Sequence, residues 1–183
     1  MTALELLLTR QSCANVVEPA PTQTDLDIIL QAGMRVPDHG NLSPWQFTVI
    51  TGDGLLQLTN IFSQAAIAAG MSEAKIAKAQ TMAYRAPMII VISSNLQQHD
   101  KVPVQEQLIA GGCVVHAMQM AAFALGYGAM WRTGEFSYDV NVKQALKVTE
   151  ANQILGFLYI GTPVKTPLVK PTKPFTGLVR LMK

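Results

Sequence analysis

Polar and titratable side chains are concentrated between Arg35 and Trp45, where the sequence reads RVPDHGNLSPW. A loop of this composition is a poor core filler, because each buried polar atom would need a hydrogen-bond partner. Arg35 and Asn41 can bond to carbonyl and imide edges, the prolines stiffen the backbone, and Trp45 can anchor the loop to the fold. His39, next to Asp38, is favoured as a ligand contact over a surface imidazole or a ring that bonds its own backbone. The stretch therefore predicts contact with a planar ligand that has polar edges.

A second candidate group, Arg10-Gln11-Ser12, directly follows the first predicted helix. A guanidinium and a hydroxyl two residues apart can together bind a phosphate. The alternative is that Arg10 caps the carbonyls of its own helix, and taken alone this alternative is favoured because basic residues are common in a last turn. The end of a helix is its negative pole, so only side-chain charge could hold an anion there.

A third candidate group, Trp131-Arg132-Thr133-Gly134, closes a predicted strand. Strand ends commonly face ligand crevices in proteins of mixed helices and strands, although a turn with an exposed arginine is the simpler alternative. His116 is predicted to be a core or dimer-interface residue, and His99 a solvated one. The three histidines do not have the spacing of metal ligands.

Helices and strands alternate along the chain and must position these groups. The capping box Thr2-Ala3-Leu4-Glu5 begins a helix that carries Leu4, Leu7 and Leu8 on one side. Other helices are predicted from Thr22 to Gly33, Leu55 to Gly70, Ser72 to Ala83, Val104 to Leu125 and Val140 to Leu146; strands are predicted at 47–50, 88–92, 129–133 and 154–160, with a possible edge strand at 175–181. From Ala110 the long helix is apolar nearly all round, which predicts burial on every side. The order predicts one domain, residues 1–183, in which a sheet is covered by helices and residues 162–183 form an extended arm.

Composition narrows the class of protein. Hydrophobic residues make up 49% of the chain and charged residues 14%. This composition favours apolar surface hidden in a second copy of the chain over a Met- and Ala-rich core in a monomer. The net charge of +2 without a basic run argues against nucleic acid and anionic membranes as partners. The N-terminus does not resemble a signal peptide, the apolar stretch from Cys113 to Leu125 is too short for a membrane span, and Cys13 and Cys113 suit a reducing cytoplasm.

Several familiar motifs are missing from the sequence. There is no G-x-G-x-x-G after a strand, no P-loop, no G-x-S-x-G and no H-E-x-x-H. Dinucleotide binding of the Rossmann type, phosphoryl transfer and serine hydrolysis are therefore disfavoured.

Four segments together resemble the nitroreductase family of FMN-dependent NAD(P)H oxidoreductases, in particular its small single-domain bacterial branch. They are LLLTRQS, AGMRVPDHGNLSPWQFTVI, MQMAAFALGYGAMWRTG and GFLYIGTP, which occur in the order and spacing of the family. The resemblance extends over essentially the whole chain. It implies an α+β fold with a central, mostly antiparallel sheet covered by helices, in an intertwined homodimer with FMN at the subunit interface.

The resemblance also implies roles for individual residues. The cofactor-binding residues would be Arg10, Gln11, Ser12, Arg35, His39, Asn41, Trp131, Arg132, Thr133 and Gly134. Arg10 and Ser12 would contact the phosphate and ribityl chain, and Asn41 the pyrimidine edge. Trp131, Arg132 and Thr133 would pass the flavin ring and phosphate, with Arg132 as a further phosphate contact and a backbone amide at Thr133 or Gly134 near N5. Arg35 and His39 would come from the other subunit. Nicotinamide would lie along Ala121, Ala122, Phe123, Ala124, Leu125 and Gly126.

The sequence departs from the family at three positions. Gln11 and Ala14 stand where many members carry basic residues, and Thr133 replaces an acidic one. The residue near position 14 usually supports negative charge at N1–O2 of reduced flavin, so Arg35 is expected to take that role. The implied activity is ping-pong hydride transfer from NAD(P)H to nitroaromatic, quinone or similar acceptors, with no catalytic side chain and no metal. The alternatives are a flavin-dependent dehydrogenase or oxidase with another substrate, or a flavin-binding protein with little turnover.

Overall fold

The computed structural model describes residues 1–165 and 168–183 and contains an antiparallel sheet between two helical layers. The helices are α1 (Ala3–Thr9), α2 (Gln23–Gly33), α3 (Asp53–Ala68), α4 (Glu73–Met82), α5 (Val104–Ala124), α6 (Glu135–Tyr138) and α7 (Val140–Ala145). The strands are β1 (Val16–Val17), β2 (Trp45–Thr51), β3 (Met88–Ser94), β4 (Gly128–Arg132) and β5 (Ile154–Pro163). The expected α+β class is confirmed.

The strand β5 is the centre of the sheet. It pairs with β3 through residues 154–160, with β4 through residues 157–161, and with β1 through Thr162 and Pro163, and all these pairs are antiparallel. The strand β2 pairs with the other side of β3 over its full length. Because β5 reaches Pro163, the C-terminal arm begins two residues later than the sequence predicts.

Alternating side chains of the central strands feed two separate cores. Ile89 and Val91 face α3 and α4 together with Phe157, whereas Ile90 and Leu158 face α2 and α5. All seven residues of β3 are buried, as the continuous apolar run predicts. The sheet therefore separates the two cores. Successive side chains of β4 point to opposite faces of the sheet, so neighbouring residues of this strand lie on different sides.

The helix α5 packs one side against the sheet and leaves another side uncovered in the single chain. Val114, Val115, Met118 and Ala122 are buried, whereas Cys113 and His116 are exposed and Ile109 is 58% exposed. The prediction of burial on every side is therefore wrong for one chain, because a 3.6-residue repeat leaves a stripe facing away from the sheet. His116 is accordingly not a core residue of this chain.

The same helix is long and apolar enough to cross a membrane by length and composition, and half of its most apolar window is buried in the protein. The predicted apolar stretch, Cys113 to Leu125, includes only 12 of the 21 residues of α5, which begins at Val104. Its buried glutamines, Gln107 and Gln119, are bonded to other parts of the fold, which is the pattern of a core helix.

Helix starts follow the sequence signals closely. The hydroxyl of Thr2 accepts the Glu5 N–H at 3.2 Å and the Glu5 carboxylate accepts the Thr2 N–H at 2.7 Å, which completes the predicted capping box. The Thr22 hydroxyl caps α2 in the same way. The C-terminal segment differs from expectation, since residues 176–178 form a 3₁₀ turn where a strand was predicted. Pro167, one of the prolines on which the prediction of an arm rests, lies outside the described residues.

Candidate functional site

The side chain of Gln119 connects α5, β4 and the segment that follows α1. Its Nε2 donates to the carbonyl of Ala129 at 3.0 Å and to the Ser12 hydroxyl at 3.2 Å, and its Oε1 accepts from Arg10 Nη1 at 3.2 Å. Gln119 is 4% exposed. We call Arg10, Ser12 and Gln119 the Gln119 cluster. The guanidinium of Arg10 thus bonds to α5, and among the described residues it makes no hydrogen bond to a carbonyl of α1, so the capping alternative is not observed there.

Gln119 was not identified from the sequence as a site residue. The available signal was a polar residue inside an otherwise apolar helix, which indicates a buried group that must find partners. Gln119 satisfies that need by fixing Arg10 and Ser12. Gln11, between them, is 8% exposed and donates through Nε2 to the carbonyl of Leu168 at 2.7 Å, so it holds the C-terminal arm.

The arm returns basic residues to the Gln119 cluster. A cavity of about 870 Å³ is lined by residues from the end of α1 and from the arm, including Arg10, Ser12, Lys170 and Lys173. Three cations and a hydroxyl around one space form a donor set that suits a phosphate monoester. Lys170 and Lys173 had no sequence signal beyond their charge, because only the folding back of the arm brings them to Arg10.

The loop from Arg35 to Asn41, called the 35–41 loop, lies at the other end of α5. His39 Nδ1 is 2.7 Å from Glu106 Oε2, near the start of that helix. Positions 106 and 119 are 13 residues apart, roughly 20 Å at about 1.5 Å per residue. Within one chain, the structure therefore does not bring His39 to the Gln119 cluster.

The backbone of this loop is braced, whereas two of its side chains, those of Arg35 and Asn41, are exposed to solvent. Gly40, Asn41 and Ser43 have positive φ, and the Asp38 carboxylate accepts the Ser43 N–H at 2.6 Å. Asparagine tolerates this left-handed region better than most residues, so the backbone conformation by itself explains why an asparagine stands at position 41. Arg35 and Asn41 are exposed, and their side chains have no hydrogen-bond partner among the described residues. Trp45 is buried and donates to Met34 Sδ at 3.3 Å, as expected of an anchor.

The third group, at the end of β4, divides between the two faces of the sheet. Trp131 is 37% exposed, and its indole N–H donates to the carbonyl of Leu155 at 3.0 Å. The Arg132 guanidinium lies over the Tyr159 ring, 5.5 Å from the centroid, on the face that also carries α3. Its cavity and the one that contains Arg10 share no lining residue, but a third cavity shares Ser12 with one and Asn15 with the other and so connects them. Thr133 and Gly134 are exposed, and Gly134 has a φ of 85°.

The segment expected to contact nicotinamide is the last turn of α5 and the residues after it. The side chain of Ala122 is completely buried against the sheet. Ala124, Leu125 and Gly126 are exposed, whereas Ala121 and Phe123 are half-buried. Only part of the predicted segment is therefore accessible to a ligand in this chain.

Comparison with known proteins identifies the class of this protein. The nitroreductase family profile matches residues 7–162. The chain belongs to the nitroreductase family, and both the expected family and the expected enzyme class, an oxidoreductase, are confirmed.

The relatives match this chain over most of their own length. The "Putative NAD(P)H nitroreductase YdjA" of Escherichia coli strain K12 is 46% identical over 163 residues, covering 89% of both chains. A "Putative NAD(P)H nitroreductase" of Haemophilus influenzae is 34% identical, covering 88% of this chain and 89% of that one.

Solved structures share the fold. A nitroreductase-like protein from Bacillus cereus superposes with a TM-score of 0.87 at 21% identity, covering 100% of this chain and 97% of that one. A nitroreductase with bound FMN from Bacteroides fragilis has a TM-score of 0.76 at 21% identity and full coverage of both chains.

Proposed function

We propose that this chain is an FMN-dependent oxidoreductase that takes hydride from NAD(P)H and reduces nitroaromatic, quinone or similar acceptors. The observation that carries the proposal is the cavity beside the Gln119 cluster, where Arg10, Ser12, Lys170 and Lys173 provide the donors that a phosphate monoester requires. The names of the relatives and the FMN bound in the Bacteroides fragilis nitroreductase support it.

The hydrogen-bond directions in the Gln119 cluster suit an anion. Ser12 Oγ accepts from Gln119, so the hydroxyl proton of Ser12 remains available to a phosphate oxygen. Arg10 uses one Nη1 contact to reach Gln119 and keeps its other N–H groups for the ligand. Because Gln119 is fixed in turn by the Ala129 carbonyl, both donors are positioned before the ligand arrives.

The ring of FMN would lie toward the end of β4. Trp131, Arg132, Thr133 and Gly134 border that region, and we propose that a backbone amide of Thr133 or Gly134 faces N5. FMN, when bound, accepts a hydride and passes electrons on, so donor and acceptor can use one site in turn in a ping-pong sequence. Exposed residues at the end of α5 would contact the nicotinamide, and the chain itself needs no acid or base for transfer between rings.

We further propose that the working form is a homodimer and that the partner completes each site. In the single chain, Leu4, Leu7 and Leu8 of α1 and Ile109 of α5 are all more than half exposed. Exposed apolar surface of this extent supports the proposal of an interface. The outward side chains of Arg35, His39 and Asn41 would then reach the flavin of the partner. A cytoplasmic location fits the free thiols of Cys13 and Cys113.

The proposal is tested on the purified protein. We expect a yellow protein whose extracted cofactor is FMN, because the sequence offers no Rossmann fingerprint for an adenosine half. Stopped-flow mixing with NADH or NADPH should bleach the flavin absorbance, and a nitroaromatic or quinone should restore it. A colourless protein, mostly FAD in the extract, or a spectrum that neither nucleotide bleaches would each contradict the proposal.

A further inference from the structure

Two buried glutamines interrupt the apolar helix α5, and they hold different parts of the chain. Gln119 bonds to Arg10 and Ser12. Gln107 lies three turns earlier, is 1% exposed, and makes all its side-chain hydrogen bonds to the loop between β3 and α5. A buried polar side chain must find partners, so the partners of Gln107 show which segment it fixes.

The amide of Gln107 holds the backbone of one residue, Gln97, at two points. Its Oε1 accepts the Gln97 N–H at 2.9 Å, and its Nε2 donates to the Gln97 carbonyl at 2.8 Å. Nε2 also donates to the carbonyl of Val102 at 3.1 Å, near the other end of the same loop. Because both backbone groups of Gln97 are fixed, its side chain extends from a defined position.

The side chain of Gln97 reaches the turn that presents Asn41. Its Nε2 donates to the carbonyl of Leu42 at 2.6 Å. Within the turn, the Asn41 N–H donates to the Asp38 carbonyl at 3.1 Å, and the Ser43 N–H donates to the Asp38 carboxylate at 2.6 Å. These two bonds shape the turn, whereas the bond from Gln97 ties it to another part of the chain.

The packing of the turn provides a second connection to Gln107. A Cβ at Gly40 would lie 3.3 Å from Cγ2 of Val102, so the backbone of the turn lies directly against that side chain. Val102 is 3% exposed, and its carbonyl is held by Gln107. Gln107 therefore supports the turn by two routes, one through Gln97 and one through Val102.

We propose that Gln97 is a positioning residue for Asn41. The inference rests on the proposed function, in which Asn41 contacts the pyrimidine edge of the partner's flavin. The Asn41 side chain is exposed and has no hydrogen-bond partner among the described residues, so its direction before a ligand arrives is set by its backbone alone. Gln97 fixes that backbone at the next carbonyl and need not contact the flavin itself.

Hydrogen–deuterium exchange of the purified protein tests the structural step. Gln97→Met keeps the length of the side chain but removes the donor to Leu42. The amides of residues 39–43 should then exchange about fivefold faster, the factor that corresponds to a loss of about 1 kcal/mol. Gln98→Met, the same change at an exposed neighbour, is the matched control and should leave the exchange of this turn unchanged. Equal exchange in Gln97→Met and wild type would overturn the proposal.

A double-mutant cycle on the FMN-loaded protein tests the functional step. Asn41→Ala should shift the flavin midpoint potential, because negative charge develops at the pyrimidine edge on reduction. Gln97→Met should shift the potential in the same direction by a smaller amount, with little change in FMN affinity because Arg10 and Ser12 are untouched. In the Asn41→Ala background, Gln97→Met should add nothing, because the side chain that it positions is gone.

The cycle separates failure of this inference from failure of the proposed function. Additive shifts, or a shift in Asn41→Ala without one in Gln97→Met, would overturn the role of Gln97 and leave the flavin contact of Asn41 intact. No shift in Asn41→Ala would overturn that contact and, with it, the inference. Unfolding curves of each variant check that a shift does not reflect a loss of folding, which is not expected because Gln97 is only half-buried.

Discussion

The Gln119 cluster and the 35–41 loop both carry residues assigned to the flavin, but the chain treats them differently. In the Gln119 cluster, Arg10 and Ser12 are tied to a buried glutamine, which in turn is tied to a strand. In the 35–41 loop the backbone is braced, while Arg35 and Asn41 have no side-chain partner among the described residues. A single chain thus fixes the side chains of Arg10 and Ser12 but gives those of Arg35 and Asn41 no hydrogen-bond partner among the described residues.

This difference is what the proposed site, shared between two copies of the chain, requires. A side chain that must position a ligand within its own chain is preorganised by internal contacts, as Arg10 is. A side chain that contacts a ligand of the other subunit can stay without an internal partner until the subunits meet, as Arg35 and Asn41 do, although Glu106 already holds His39. The two groups are also roughly 20 Å apart along α5, which is too far for both to contact the same part of one flavin within a single chain.

The largest expected effect comes from Gln119→Leu. The change leaves the Ala129 carbonyl, Arg10 and Ser12 without their shared partner, so the free energy of unfolding should fall by about 2 kcal/mol. Flavin affinity should fall by roughly tenfold or more, because two phosphate donors lose their positions. Fluorescence titration with FMN and denaturant unfolding measure the two effects.

Gln107→Leu is the matched control for that variant. Gln107 is equally buried in the same helix, 1% exposed, and bonds to the backbone of Gln97 and Val102. It should cost similar stability but leave flavin affinity unchanged, because Gln107 bonds to neither Arg10 nor Ser12. An equal loss of flavin affinity in both variants would show that Gln119 acts only through stability.

Arg10→Ala should weaken FMN binding by about tenfold to a hundredfold, the usual range for one charge-assisted hydrogen bond. The flavin midpoint potential should stay nearly constant, because the phosphate is distant from the ring. Spectroelectrochemical titration of the reconstituted variant measures the potential. A large shift in potential would place Arg10 at the ring and contradict its assignment.

Arg35→Ala should have the complementary signature. A fixed cation near N1–O2 favours reduced flavin, so its loss should lower the midpoint potential by tens of millivolts, about 30 mV per 1.4 kcal/mol for two electrons. Bleaching by NAD(P)H should slow, while FMN affinity changes little. Arg35→Lys should restore part of the potential. An unchanged potential in Arg35→Ala would reduce the loop to a structural clamp.

The smallest effect is expected for Glu106→Gln. The His39–Glu106 pair joins two exposed side chains, which are 57% and 48% accessible, and such pairs contribute about 0–1 kcal/mol. Stability should therefore change within that range, and the pair should serve to orient the imidazole. Chemical denaturation at two salt concentrations measures it, and a loss well above 1 kcal/mol would mean that the pair carries the fold of the loop.

Local signals in the sequence predicted most elements because their causes are local. Thr2 and Thr22 cap their helices through side chains three residues from their partners, and the apolar run in β3 needed burial on both faces. The two-residue β1 strand and the four-residue α6 helix were missed, since segments so short have no readable periodicity.

The site was predictable only in part because its geometry is tertiary. Arg10 and Ser12 could be proposed from their residue types, but Lys170 joins them only because Gln11 holds the arm against α1. The position of the Arg132 guanidinium depends on the face of the sheet to which residue 132 points, and Arg85, which lines the same cavity, comes from a turn more than 40 residues earlier in the sequence. The fold brings these residues together through long-range contacts, which no local sequence pattern encodes.

Mixed dimers test the shared site most directly. Arg10→Ala and Arg35→Ala chains, carrying different affinity tags, are co-expressed, and the heterodimer is isolated and assayed for reduction by NAD(P)H. A shared site predicts that one of the two sites pairs intact Arg10 with intact Arg35, so the heterodimer regains about half of wild-type activity while each parent stays impaired. A heterodimer no more active than the average of its parents would mean that each chain uses its own Arg10 and Arg35, and would contradict the account.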